Sequence, residues 1–369
     1  YFGDNQSIGL LSHIKKRLPY GMDDQWMVFS HYTERGWTVD NLWHIFTDFY
    51  GGQYAPLAFL SYLVLYAGFG YDPFYFHMFS LLLHIGCVCL VWKLISSLLR
   101  VHGGVSEKQI LYVNFITTLL FAVHPINVEA VAWISALKVL LYAFFYLLGL
   151  LCYLRYIRTS KIFYYVLTIG CFLCSFWGKE QAVTFPLALL IVDWFTNRNM
   201  KNLEVWSEKM SFLIMAFFFG IITVLSQGKG PYEMIFPLYQ RLLFGCFALV
   251  EYITKSLLPV NLNFFYPFPI VLGEEPPLHY YLYPVVLLFL MGWIIAYRNN
   301  RYLVFGVLLF LVNLLFSIHL FNMSRHAIVA DRYMYLSYVG IAFLIANGIW
   351  WLRKRLSYFK AALVFLFFY

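Results

Sequence analysis

Asp23 and Asp24 are adjacent carboxylates in the segment Gly21-Met22-Asp23-Asp24-Gln25-Trp26. Two acids this close push one pKa upward, which suits one of them to general-base work at a membrane-facing cavity; the alternative is a solvated turn with a helix cap, since aspartate is common in turns. A second cluster runs from His124-Pro125 to Trp133 and puts Glu129 and Trp133 four residues apart, on one face of a short helix. Glu129 there orients a base or binds a polar substrate, with Lys138 close by in sequence, or else it closes a structural salt bridge. Lys179-Glu180 occupies a tight turn between two apolar runs. The cations Arg241, Lys255, Arg325 and Arg332 suit an anionic group, because arginine offers a fork matched to phosphate oxygens; the alternative is snorkelling at helix ends. Asp331 either belongs to such a site or pairs with the neighbouring Arg332 and holds its orientation.

These groups stand out against their background. Of 369 residues 62% are hydrophobic and only 12% are charged, and ionisable groups near hydrocarbon persist mainly where they pair with each other or line a water-filled cavity. The composition is that of an integral membrane protein. Its recurrent apolar runs approach the roughly 20 residues a spanning helix needs. Runs such as Val139 to Tyr153 are apolar on every face, without the alternation of barrel strands. The fold class is therefore all-α and polytopic. The formal charge of +8 reads as topology, with no nucleic-acid partner implied, because the basic residues gather in particular loops.

Those loops are Lys93 to Lys108, Arg155 to Lys161, Arg198 to Lys209, Arg298 to Arg301 and Arg353 to Lys360, which hold about fifteen of the 26 Lys and Arg residues and are assigned to the cytoplasm. Spans are expected near 73–93, 110–123, 139–157, 162–178, 181–197, 211–227, 279–297, 302–321, 331–352 and from 359 onward, about ten in all. Parity then places 1–72 outside, with Pro56 to Phe69 as an interfacial helix ending at a Gly-Phe-Gly turn. It also makes 235–275 an outer interfacial or re-entrant segment within a transmembrane domain covering 73–369. Nearly all the chemically suggestive residues fall on that outer side. Both ends of the sequence look cut, so a leading membrane helix and a C-terminal domain are expected beyond them.

Several chemistries are disfavoured. The sequence carries no Walker loop, H-E-x-x-H, G-x-S-x-G or dinucleotide fingerprint. Cys171 and Cys174 have C-x-x-C spacing but no second pair, and His77 and His84, seven apart on one helix face, read more readily as packing residues than as a metal pair. No metal site is expected.

The order Asp23-Asp24, Gln53-Tyr54-Ala55-Pro56-Leu57, Phe76-His77, Leu83-His84, Leu120-Phe121-Ala122-Val123-His124-Pro125, Glu129-Ala130-Val131-Ala132-Trp133-Ile134-Ser135 and Lys138 resembles the transmembrane tetratricopeptide-repeat O-mannosyltransferases and their bacterial relatives. Gly178-Lys179-Glu180-Gln181-Ala182-Val183-Thr184-Phe185-Pro186 with Asp193, and Ala330-Asp331-Arg332-Tyr333-Met334-Tyr335-Leu336, extend the likeness over Asp23 to Leu352. Ala55 stands where the family often has Arg or His, and Ser80 where it often has Asn. The tetratricopeptide repeats that follow the membrane region in the family are absent from this sequence.

The resemblance implies a GT-C type glycosyltransferase with about eleven spans once a missing N-terminal helix is added, using a polyprenyl-phosphate-linked sugar as donor. Asp23 or Asp24 would deprotonate an acceptor hydroxyl of a protein or glycan, which attacks the anomeric carbon with inversion. Arg332, Arg325, Arg241 and Lys255 would hold the lipid phosphate, and His124, Glu129, Lys138, Lys179, Glu180 and Asp331 would position substrate. The scheme requires no cofactor, and an acidic pair remains compatible with a divalent metal. Partners would be the lipid donor, membrane lipids, the acceptor and whatever the C-terminal repeats bind. The expected place is a bacterial inner membrane with the site facing the periplasm, or alternatively the endoplasmic reticulum with the site facing the lumen. Two other classes stay open: a transporter or flippase of a lipid-linked or anionic solute, which predicts polar residues along a path through the bilayer, and a non-catalytic membrane scaffold.

Overall fold

The structure, a computed structural model, describes residues 23–227, 236–263, 265–319 and 327–368. Local chemistry sets most helix boundaries. Three short helices, α1 (Asp24–Met27), α2 (His31–Glu34) and α3 (Val39–Thr47), precede α4 (Pro56–Phe69), which starts with proline in its first turn and stops at Gly70, where φ is +64°. The helix has the bounds expected of it. Next, α5 (Pro73–His102) is capped by Asp72, whose carboxylate accepts from the Phe74 N–H at 3.0 Å, and it ends at Gly103. Ser106 caps α6 (Glu107–Val123) by accepting from Gln109 N–H. At His124-Pro125 the chain bends by 50° into a 3₁₀ turn and α7 (Val128–Ala132), because proline lacks the N–H that would continue the helix.

Beyond this bend come α8 (Leu137–Thr159), α9 (Ile162–Gly178), α10 (Phe185–Phe195), α11 (Leu203–Gln227), α12 (Leu238–Leu257), α13 (Tyr283–Ala296), α14 (Arg301–Leu314) and α15 (Met334–Phe368). One feature lies outside the all-α expectation. Strand β1 (Tyr266–Pro267) pairs antiparallel with β2 (Ala327–Val329), opposing Tyr266 to Val329 just before α15.

Among the described residues five helical segments are long and apolar enough to cross a membrane: Pro73–His102, Ile134–Thr159, Leu203–Ser226, Leu278–Ala296 and Asp331–Leu356. The bent pair of α6 with Pro125–Ala132 makes a sixth. The protein is thus an all-α polytopic membrane protein, with two departures from the span pattern expected above. Helices α9, α10 and α14 are 17, 11 and 14 residues long, so the spans expected at 162–178, 181–197 and 302–321 fall short of the roughly 20 residues that an upright span takes. The expected spans at 331–352 and from 359 onward form the single helix α15. Arg353-Lys354-Arg355 does not interrupt it, because Arg and Lys are good helix formers and no Gly or Pro follows Gly348.

The central element is α8, buried at Leu137 to Ala143 and again along Tyr146, Leu150 and Leu154, whereas α13 has no buried residue. Helices α14 and α15 cross closely through facing glycines: a Cβ on Gly340 would lie 2.5 Å from the Gly306 carbonyl oxygen. The segment 23–71 carries a smaller apolar core of its own, in which Met27, Tyr32, Ile45, Phe59 and Tyr62 pack with Ile134, Leu137 and Leu141 of the central helix region.

The loop between α10 and α11 closes over a buried ion network. Lys209 Nζ lies 2.5 Å from Asp193 Oδ2, and Arg198 bridges Asp193 Oδ1 at 3.2 Å and Glu208 Oε2 at 2.6 Å. The Tyr153 hydroxyl donates to Asp193 at 2.8 Å. Two positive and two negative groups thereby cancel inside an apolar bundle. Lys209→Met alone is expected to lower stability in detergent by about 3–5 kcal/mol, because it leaves the carboxylates of Asp193 and Glu208 sharing Arg198 as their one cation in the network. The double variant Asp193→Leu, Lys209→Met should recover a large part of that loss in thermal unfolding; equal losses would show that the two side chains do not act as a pair.

Candidate functional site

The sequence Ala330 to Tyr335, at the start of α15, is a hub of polar contacts to four other parts of the chain. Arg332 Nη1 donates to Glu129 Oε1, and the Arg332 backbone N–H donates to Glu129 Oε2 at 2.7 Å. The same guanidinium lies 4.9 Å from the Trp133 ring centroid and 5.1 Å from that of Tyr333. The i, i+4 face of Glu129 and Trp133 thus grips one arginine by its charge and by its π face. On the other side of Tyr333, the Lys179 ammonium sits 4.6 Å from the ring centroid. His84 Nε2 donates to the Ala122 carbonyl at 3.1 Å, so in the neutral imidazole Nδ1 accepts from the Tyr335 hydroxyl at 2.7 Å. His84 therefore joins three helices. His77 is exposed.

Asp331 does not pair with Arg332. Its carboxylate accepts from the Tyr266 hydroxyl at 3.0 and 3.2 Å, across the β1–β2 pairing. The reason is local geometry: the 3₁₀ turn Asp331–Tyr333 places the adjacent side chains about 120° apart. Burial pushes the Tyr266 hydroxyl pKa up, and the Asp331 carboxylate adds to this, so the tyrosine stays a proton donor. Lys255 stacks 4.6 Å from the Tyr266 ring centroid, pairs with Glu251 at 3.3 Å and donates to the Asn261 carbonyl at 3.1 Å.

The other half of the site is the docking of the first segment onto residues 134–138. The Tyr62 hydroxyl donates to the Ile134 carbonyl at 2.9 Å. Asp24 Oδ1 accepts from the Ser135 backbone N–H at 2.9 Å and from its hydroxyl. Lys138 Nζ donates to Gln53 Oε1 at 2.5 Å. Gln53 is delivered there by a two-residue turn, Gly51-Gly52, with φ values of +58° and +71°, closed by Tyr50 and Gln53 hydrogen-bonding each other. The Trp26 ring lies flush against Gly51.

The two aspartates consequently differ. Asp24 is buried and held by Ser135, while Asp23 is half-buried, makes no side-chain cap bond and has no ion-pair partner among the described residues. Asp23 acts electrostatically on both Lys138 and Arg332, and Glu180 also acts on Lys138. Asp23, Glu129, Lys138, Lys179, Glu180, Asp331 and Arg332 are therefore gathered at one end of the bundle. His124 stacks on Tyr338, 4.3 Å between ring centroids, beside the same corner.

The proposed phosphate ligands do not converge to the same degree. Arg241 and Lys255 are fourteen residues apart on α12, roughly 21 Å along a helix axis, and Arg332 and Lys255 are each committed to a glutamate. Arg325 lies outside the described residues. Among the described residues no three His, Cys, Asp or Glu side chains form a metal-holding group. Gln53 and Ser135 fall within the stretches that carry the family resemblance, which assigns them no role, and Tyr266 lies outside those stretches. The two glycines before Gln53 carry the local signal of a tight hairpin turn.

Gly51 and Gly36 provide an internal test of how the turn is held. Both have positive φ, but a Cβ at Gly36 would meet nothing within 4 Å, whereas one at Gly51 would lie 2.5 Å from the Trp26 ring. Both alanine variants carry the backbone strain; Gly51→Ala should be less stable than Gly36→Ala by about 1–3 kcal/mol, the usual range for overpacking. Equal losses in thermal unfolding would remove the Trp26 contact from the account.

No protein-family model and no solved structure matches the chain. Curated relatives do. The chain is 32% identical over 189 residues to the protein O-mannosyl-transferase TMTC2 of Mus musculus, which covers 47% of this chain and 21% of that protein. It is 30% identical over 203 residues to the protein O-mannosyl-transferase tmtc2 of Xenopus laevis (50% and 23%), and 28% identical over 172 residues to the protein O-mannosyl-transferase Tmtc3 of Drosophila melanogaster (42% and 18%). The matched region spans about a fifth of the length of these relatives. In sequence, then, this chain is TMTC-like, resembling the protein O-mannosyl-transferases over as much as half its length.

Proposed function

We propose that this chain is the membrane-embedded, GT-C type transferase portion of a protein O-glycosylating enzyme. It moves a sugar, mannose by analogy with the names of its relatives, from a polyprenyl-phosphate donor to a protein hydroxyl. The active face is the one opposite the basic loops, which positive-inside counting puts outside the cytoplasm.

The observation that carries this reading is the inequality of the two acids. Asp24 is spent on Ser135, whereas Asp23 beside it is half-buried and has no ion partner among the described residues, and its segment docks on residues 134–138, which include the cation Lys138. An acceptor hydroxyl loses its proton to the Asp23 carboxylate as its oxygen bonds to the anomeric carbon. The bond from that carbon to the phosphate oxygen breaks on the opposite face, and its electron pair leaves with the lipid phosphate. The configuration inverts. Phosphate is already a good leaving group, so the cations need only balance the charge that develops on it. Arg332 stays fixed by Glu129, which gives that field a set direction and avoids reorganisation during the reaction.

The test separates the two aspartates. With protein reconstituted with polyprenyl-phosphate sugars and a membrane extract as acceptor, Asp23→Asn should lower sugar-dependent release of lipid phosphate by roughly 100-fold or more without loss of thermal stability. Asp24→Asn should chiefly lower stability, since it weakens the clamp to Ser135. Wild-type protein that releases no lipid phosphate with any donor, while labelled lipid crosses the bilayer, would replace this reading with a transporter.

A further inference from the structure

Lys138 is buried and 6% exposed, yet the described residues bring no carboxylate within ion-pair distance of it. Its ammonium donates to the amide oxygen of Gln53 at 2.5 Å and lies 3.6 Å from the thioether of Met27, two neutral groups. Lys209 and Lys255, also buried, have Asp193 and Glu251 as counter-charges. Asp23 and Glu180 act on Lys138 only from beyond contact, and Arg332 opposes them. An ammonium in apolar surroundings with neutral partners is penalised by several kcal/mol, and ionisable groups at such positions are associated with a ligand or a transported charge.

The partner it has is replaceable. Gln53 is half-buried and stands at the end of the Gly51-Gly52 turn, whereas Lys138 is buried.

We propose that Lys138 is an anion-binding cation, and that an oxygen of an isoprenyl phosphate takes the place of the Gln53 amide oxygen. The ligand supplies the counter-charge that the protein lacks. Naming this phosphate as that of the sugar donor rests on the transferase reading; its binding does not. Asp23 and the departing phosphate would then lie near a single ammonium, which balances the charge that develops on the leaving group.

The experiment uses the full chain purified in detergent and measures thermal stabilisation by geranylgeranyl monophosphate, with geranylgeraniol and inorganic phosphate as separate arms. The monophosphate should stabilise wild type, and the alcohol should not. Lys138→Met should bind it roughly 10–100-fold more weakly, the loss expected for a charge-assisted hydrogen bond, and Lys138→Arg should bind more tightly than Lys138→Met. A lysine with a purely structural role would lower the ligand-free melting temperature when replaced. A lysine kept for a ligand should leave it at or above the wild-type value in Lys138→Met, because an uncompensated buried charge has been removed.

Wild-type affinity in both Lys138→Met and Lys138→Gln would overturn the proposal, and so would inorganic phosphate binding as tightly as the lipid monophosphate. Lys138-dependent binding in a protein that transfers no sugar from any donor would uphold the site and defeat the transferase reading alone. Transfer that persists in Lys138→Met with an unchanged donor KM would do the reverse.

Discussion

The ion pair between Arg332 and Glu129 is the contact on which the polar end of this bundle depends. The two residues are 203 positions apart in the chain, one at the start of the last long helix and the other in the bend after α6, and both sit where an unpaired charge would be severely penalised. Once Arg332 is fixed between Trp133 and Tyr333, the turn 331–335 has little freedom left. Asp331 is sent to Tyr266, Tyr333 is presented to Lys179, and Tyr335 meets His84. Each of those contacts reaches a different element. A shift at Arg332 would therefore be felt across the whole corner.

The bend after α6 also receives the first segment of the chain. Trp133 belongs to the arginine grip, while the next residues, Ile134, Ser135 and Lys138, take up Tyr62, Asp24 and Gln53 in turn. A stretch of six residues, 133–138, thus joins two otherwise separate sets of contacts. The bend exists because Pro125 cannot continue α6, and the central helix α8 starts only after it. Backbone that leaves helical geometry at this depth needs its polar groups satisfied by neighbouring protein. Tyr62 and Asp24 do this for the Ile134 carbonyl and the Ser135 N–H.

Much of this could be seen in the sequence where the governing physics is local. Helix α4 has the expected limits because Pro56 favours the first turn and Gly70 the left-handed stop. The shared face of Glu129 and Trp133 followed from their four-residue spacing, although its occupant, Arg332, could not be read from spacing. The single helix α15 was hidden because a run of three cations marks a membrane boundary without breaking a helix, and hydropathy sees only the first effect. The pairing of Asp331 with Tyr266, and the roles of Ser135 and Gln53, depend on partners 65, 111 and 85 residues away. The stretches quoted for the resemblance are ones that the fold packs together at this corner, and only the packed structure separates Asp23 from Asp24.

The bundle contains two buried polar centres, and the contrast between them bears on function. Around Asp193 and Lys209 each charge has an opposite charge in contact, with tyrosine hydroxyls from Tyr153 and Tyr156 filling remaining acceptor sites. A network so complete has no place for a ligand, and its natural role is to hold α8, α10 and α11 together. Around Lys138 and Asp23 the opposite holds, for a buried ammonium rests on an amide oxygen and a half-buried carboxylate has no ion partner among the described residues. Both centres face the same low-dielectric penalty. A chain that satisfies one of them fully is able to satisfy the other, so the charges left open beside Ser135 are better explained by what they bind than by what they hold together.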